Sequence, residues 1–178
     1  MPLLVDRGSD PRFARAAAGC VEIGLVNNMP DTALEATERQ FVALLEAASV
    51  DVRVRLRLFS LPGVPRSERG QRHVDKYYRG LRELPESGVD ALIVTGAEPR
   101  AASLRNEPYW HWLAELIDWA EAHTVSAVWS CLAAHAAVLH LDGIGRHPLP
   151  DKCFGVYDCE TAVGHPLTAG QATRRRLT

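Results

Sequence analysis

The sequence predicts a three-layer α/β fold around a mainly parallel sheet. Two observations point to it. Short apolar runs, clearest at residues 21–26 and 90–94, alternate with longer segments whose apolar residues recur at helical spacing. The connections between them have the length of crossovers that return the chain to the same sheet. No internal repeat or low-complexity tract interrupts the pattern, and 178 residues suffice for one domain with a sizeable core.

Taken in order, residues 1–19 read as a poorly ordered lead-in, and a single domain is expected over residues 20–170. The run 21–26 reads as a buried strand. It leads into the loop Asn27-Asn28-Met29-Pro30-Asp31. Thr32 and Glu35 have the spacing of a capping box, and Leu34, Phe41, Leu45 and Ala48 follow on one helical face. Residues 52–58 alternate strictly, with Arg53, Arg55 and Arg57 pointing one way. This predicts a strand with one wet face at or near a sheet edge. Residues 61–70 are rich in Pro, Gly, Ser and Arg and read as a loop. Residues 74–84 read as helix.

Residues 90–96 form the clearest buried strand, closed by the turn Thr95-Gly96-Ala97-Glu98-Pro99. Pro108 suits the first turn of a helix bearing Tyr109, Leu113, Leu116 and Ala120 on one face. Residues 125–130 read as a further buried strand and 132–140, rich in Ala and Leu, as a helix. Phe154-Gly155-Val156-Tyr157 suits another strand, and residues 171–178 a basic, solvated tail.

Composition excludes several function classes. Apolar residues make up 47%, charged residues 24%, and the net charge is −2, so neither a nucleic-acid nor a membrane partner is expected. No apolar run approaches the roughly 18 residues of a membrane span. Asp6, Arg7, Asp10, Arg12 and Arg15 leave no apolar core for a secretory signal. A cytoplasmic protein with reduced thiols at Cys20, Cys131, Cys153 and Cys159 is therefore expected. The spacing of Cys153 and Cys159 matches no common zinc site, and even with His147, Asp158 and His165 nearby no metal and no bound cofactor are expected.

Cys131 stands at the joint between strand 125–130 and helix 132–140. A sharp strand-to-helix turn exposes a side chain above the sheet and aims helix N-terminal amides at it. Those amides favour a thiolate and can hold an oxyanion. Position alone leaves a nucleophile and a buried structural thiol evenly matched. For acyl transfer through a thioester, the amide of Leu132 would be one oxyanion donor and the Gly96-Ala97 turn, through Ala97, another. His135 lies one helical turn beyond Cys131, behind the thiol rather than across a cleft. A supporting role suits it better than that of general base. Ligands of such sheets bind at the carboxyl ends of the strands. The Asn27-Asn28 loop, the Thr95-Gly96 turn and Cys131 all fall there.

Ile23-Gly24-Leu25-Val26-Asn27-Asn28-Met29-Pro30, residues 90–97, Pro108-Tyr109-Trp110, Ile117-Asp118-Trp119, the Cys131 elbow and Asp151-Lys152-Cys153-Phe154-Gly155-Val156-Tyr157 occur in that order. Together they resemble the homoserine O-succinyltransferase family, which includes homoserine O-acetyltransferases. The resemblance implies a class I glutamine amidotransferase-like (flavodoxin-like) fold. It implies a ping-pong reaction in methionine synthesis: an acyl group passes from acyl-CoA, succinyl-CoA or acetyl-CoA, to the cysteine matching Cys131, and then to the hydroxyl of homoserine. The substrate-contacting lysine of the family matches Lys152. Arg100 aligns with the turn position whose Gly or Glu separates succinyl from acetyl donors in the family, so neither donor rule applies here, and Arg100 and Asn28 are expected to bind substrate. If an assembly forms, a homodimer is expected.

The departures are Leu132 for the family's tryptophan, His135 for its glutamine, and Leu167 where the catalytic Gly-His-Pro-Glu motif would need glutamate. That motif belongs well beyond residue 178, so the catalytic histidine is not placed on His165; the expectation is either a shortened chain, whose activity truncation can remove, or a base supplied from elsewhere, with truncation favoured. The competing expectations are a glutamine amidotransferase-like cysteine hydrolase and a catalytically inactive amino-acid-binding module.

Overall fold

The computed structural model describes residues 3–7, 19–147, 149–151, 155–160 and 174–177. The described elements fall into two compact units, residues 1–145 and 146–178. The first contains strands β1 (Leu3–Asp6), β2 (Cys20–Val26), β3 (Arg53–Ser60), β4 (Arg79–Gly80), β5 (Ala91–Val94) and β6 (Ser126–Trp129). Its helices are α1 (Asp31–Ala48), α2 (Glu68–Tyr77), α3 (Trp110–His123) and α4 (Leu132–Leu141). The strands run parallel in the order β1-β3-β2-β5-β6, with β4 beside the end of β3.

Side-chain alternation sends each strand's residues to two helical layers. Leu25, Val54, Leu56 and Leu58 pack with Leu34 of α1 and Val74 of α2. Val26, Phe59, Leu92 and Val94 pack with Leu113, Leu116 and Ile117 of α3 and with Ala133 and Ala136 of α4. The result is the expected three-layer α/β sandwich. Burial of each such Leu or Ile contributes about 1.5–3 kcal/mol. Gly24 keeps the second interface close: a Cβ there would lie 2.7 Å from Leu92 Cδ2 and 3.4 Å from Phe59. Among the described residues no helix is long and apolar enough to cross a membrane.

The most informative departure concerns β3. It is an interior strand, flanked by β1 and β2, and Arg55 and Arg57 are only 4% exposed. Register explains this. Glu22 of β2 stands opposite Arg55, and Asp6 of β1 opposite Arg57. Arg55 Nη1 lies 3.1 Å from Glu22 Oε1, Arg57 Nε 3.2 Å from Glu22 Oε2, and Arg79 Nη2 3.1 Å from Asp6 Oδ2. Alternation fixes which residues share a face; it does not reveal that neighbouring strands bring carboxylates to that face.

Other boundaries shift for local reasons. Leu3–Asp6, expected in the lead-in, forms β1, while residues 8–18 lie outside the described residues. α1 starts at Asp31 behind Pro30 with no side-chain cap; Glu35 pairs instead with Arg39 and Arg69. α2 starts at Glu68, capped by the Ser67 hydroxyl accepting from the Gly70 amide, and ends at Tyr77 before a 3-10 turn over Leu81–Glu83. β6 is an edge strand of the described sheet, and Val125, just before it, is 91% exposed rather than buried.

In the second unit, β7 (Tyr157–Glu160) pairs antiparallel with β8 (Arg174–Leu177). The expected solvated tail is therefore partly a strand. The register sets Asp158 opposite Arg176 and Glu160 opposite Arg174. β7 starts at Tyr157; Phe154, placed at the head of that strand by sequence, lies outside the described residues.

Candidate active site

Cys131 sits between β6 and α4 with φ 57° and ψ −126°, the only non-glycine residue with positive φ among the described residues. That conformation costs an L-residue about 1–3 kcal/mol and persists only where its surroundings impose it. Two ties impose it here. Ser130, just before the turn, donates its amide to Val94 O at 2.9 Å, extending the β5–β6 pairing. Beyond it, the amide of Ala134 donates to Cys131 O at 3.1 Å and opens α4. The thiol is exposed. Of the two readings of the sequence, the buried structural cysteine is thus removed, and the exposed elbow remains.

The Thr95-Gly96-Ala97 turn at the end of β5 lies against this elbow. A Cβ on Gly96 would sit 2.5 Å from Leu132 Cβ and 2.6 Å from Leu132 N, so only glycine permits the approach. Ala97 and Leu132 are both buried. Neither amide donates to an acceptor among the described residues. The cavity beneath the turn, between Asn28, Gly96, Leu132 and Ala136, holds only about 10 Å³, room for one water at most. Cys131 itself is reached from its exposed side.

Asn28 is 1% exposed and its amide is used internally. Its Nδ2 donates to Thr95 O at 2.9 Å, its Oδ1 accepts from the Leu61 amide at 3.4 Å, and its own amide donates to Thr95 Oγ1 at 2.8 Å. It thus clamps the end of β2 to the end of β5. Arg100 is exposed on the loop after β5. The backbone amides of Arg100 and Ala101 both donate to Glu107 Oε1 at 2.6 Å, and Glu107 is buried. The shape of this loop is therefore set by Glu107, a residue that sequence reasoning missed because its role depends on a loop folding back over it. His135 is exposed on α4, one turn from Cys131. Lys152 and His165 lie outside the described residues.

Tyr78 and Glu38 were also not anticipated. Tyr78 donates to Glu38 Oε2 at 3.2 Å and accepts from Asn27 Nδ2 at 3.1 Å. Burial, and then the negative charge of Glu38, push the phenol well above its ordinary range, so it stays protonated. Asp31, at the head of α1, accepts from the Ser67 amide at 2.6 Å and pairs with Arg66. Burial alone would raise its pKa. The Ser67 hydrogen bonds and Arg66 outweigh it and hold the carboxyl below its ordinary value.

The family model described as homoserine O-succinyltransferase matches residues 9–177. The chain is 56% identical over 156 residues to a homoserine O-succinyltransferase of Rhodopseudomonas palustris, covering 88% of this chain and 47% of that protein. It is 52% identical over 150 residues to one from Methylorubrum extorquens, covering 84% and 44%. It is 51% identical over 172 residues to one from Bradyrhizobium japonicum, covering 95% and 52%. The chain spans about half the length of these curated relatives. A match over nearly all of its residues, together with a strained cysteine elbow on a parallel α/β sheet, shows that the chain belongs to the homoserine O-succinyltransferase family.

Proposed function

We propose that Cys131 is the nucleophile of an acyl-CoA:homoserine O-succinyltransferase acting in methionine biosynthesis. The Cys131 thiolate attacks the thioester carbonyl of succinyl-CoA. The tetrahedral oxyanion is held by the amides of Leu132 and Ala97, and collapse expels CoA as a thiolate that takes up a proton. The homoserine hydroxyl then attacks the succinyl-cysteine thioester, gives up its proton to solvent, and leaves as the succinyl ester while the Cys131 thiolate returns. Lys152 and Arg100 serve the anionic groups of the substrates. Asn28 positions the turn that carries Ala97. His135 supports α4 behind the thiol. No bound cofactor or metal takes part, and the reaction belongs to the cytoplasm.

The single observation behind this reading is the exposed thiol held at positive φ with Gly96 seated on the Leu132 backbone. Mass spectrometry of the folded chain after exposure to succinyl-CoA tests it. The expected result is one succinyl group on the Cys131 peptide, absent in Cys131→Ala and discharged by homoserine. A folded wild-type chain that takes no acyl group from succinyl-CoA or acetyl-CoA would overturn the reading. Discharge by water in preference to homoserine would place the chain among hydrolases instead.

A further inference from the structure

A line of hydrogen bonds crosses the sheet from the α1–α2 layer to the turn beside Cys131, and every donor in it points the same way. The Asn28 amide donates to Thr95 Oγ1 at 2.8 Å. The Thr95 hydroxyl lies 3.3 Å from Asn27 Oδ1 and donates to it. Asn27 Nδ2 donates to the Tyr78 phenol at 3.1 Å, and the phenol donates to Glu38 Oε2 at 3.2 Å. Glu38 is 3% exposed and is anchored by Arg7 at 2.7 Å and His73 at 3.2 Å. A chain with one polarity ending on a carboxylate is strengthened along its length, and a missing member strands buried polar atoms. The three intermediate groups, Thr95, Asn27 and Tyr78, are buried, as is Asn28.

The upper end of this line is the residue before Gly96. Thr95 is fixed three ways: its amide donates to Val26 O at 3.0 Å, its carbonyl accepts from Asn28 Nδ2 at 2.9 Å, and its side chain is held by Asn27 and Asn28. Gly96 then has to meet Leu132 at the closest approach a backbone allows. We propose that Tyr78, through Asn27 and Thr95, is a positioning residue that sets the Gly96-Ala97 backbone against the α4 N-terminus, and so places the oxyanion donors without touching substrate. The inference rests on the function proposed above.

The consequence is selective. Attack of Cys131 on a thioester carbonyl develops an oxyanion and needs the turn in place. Alkylation by iodoacetamide displaces iodide at a saturated carbon, develops no oxyanion, and needs only the thiolate. Tyr78→Phe keeps the ring and removes the hydroxyl; Thr95→Val removes the hydroxyl on the far side of Asn27 and serves as an independent variant. Each is expected to slow succinylation of Cys131 by succinyl-CoA about tenfold, while alkylation by iodoacetamide stays within about twofold of wild type. Each is also expected to speed amide hydrogen exchange over residues 95–98 about tenfold, with α3 unchanged.

Unchanged exchange over 95–98 in both variants would overturn the proposal, as would equal loss of succinylation and alkylation, the mark of a merely loosened fold. If the wild-type chain takes no succinyl group, the function proposed above fails, and the exchange measurement alone decides whether Tyr78 positions the turn.

Discussion

At Cys131 the backbone and the side chain have separate demands. The positive φ of 57° would suit glycine, yet the chemistry needs a thiol. Two substitutions separate the terms. Cys131→Gly relieves the strain; Cys131→Ala removes the thiol and leaves it. We expect Cys131→Gly to be more stable than Cys131→Ala by about 1 kcal/mol in thermal unfolding, although glycine elsewhere loosens the unfolded chain. Equal melting temperatures would show that the turn is unstrained. Gly96 makes the opposite case. Gly96→Ala drives a methyl to 2.5 Å from Leu132 Cβ and 2.6 Å from its amide nitrogen, atoms that cannot swing aside. The expected cost is about 2–3 kcal/mol in urea unfolding, with loss of Cys131 succinylation. Retention of both would separate the Gly96 turn from the site.

Among the elements, the start of α1 is tied to the start of α2 by one carboxylate. Asp31 accepts the Ser67 amide at 2.6 Å and pairs with Arg66, which donates to Met29 O at 2.6 Å and Asn27 O at 3.1 Å. Because the folded state lowers the Asp31 pKa, the ionised form is the stabilising one. Its contribution is present above the unfolded value of about 4 and is lost as pH falls through the lower folded value. Asp31→Asn is therefore expected to unfold at lower urea than wild type at pH 7, with the gap closing as pH falls below about 4. A gap that stays constant down to pH 2 would contradict this.

The same element shows what could be read in advance. The apolar stripe of Leu34, Phe41 and Leu45 was plain from spacing, and these residues do pack toward the sheet. The capping box was not realised, since Pro30 precedes the helix and Glu35 faces Arg39 and Arg69. The Ser67 cap of α2 had a signal, Ser followed by an acidic first turn, hidden within a run read as loop. The cysteine elbow was legible because strand, cysteine and helix are contiguous. The Asn27–Tyr78–Glu38 line was not, because its members lie 40 residues apart between Glu38 and Tyr78 and meet only across the sheet.

Over the whole first unit, one sheet face is divided between two kinds of chemistry. Toward β5 and β6 it is apolar, with Val26, Leu92 and Val94 beneath α3 and α4, and it supports the elbow. Toward β1 and β3 it is ionic, with Asp6, Glu22, Arg55, Arg57 and Arg79. Burial raises the Asp6 pKa against the pull of Arg79, Arg57 and Arg55, so Asp6 favours folding less as pH rises through its folded value. Glu22 is the hub, reaching both Arg55 and Arg57 at 2% exposure.

Removing its charge takes a carboxylate away from two desolvated guanidinium groups, whereas an exposed pair such as Arg72 and Glu68 is already solvated. Glu22→Gln is therefore expected to destabilise the fold by about 3 kcal/mol, and Glu68→Gln by no more than about 0.5 kcal/mol. Added salt should shrink the second effect and leave the first, because screening reaches only solvated charges. Urea unfolding of the two variants at low and high salt measures both. Since the ionic half of the face lies away from the elbow, Glu22→Gln that remains folded should alkylate Cys131 at the wild-type rate. Similar costs for the two variants would mean that the buried cluster is no more than a surface ion pair in its energetics, and that the division of the face has no consequence for stability.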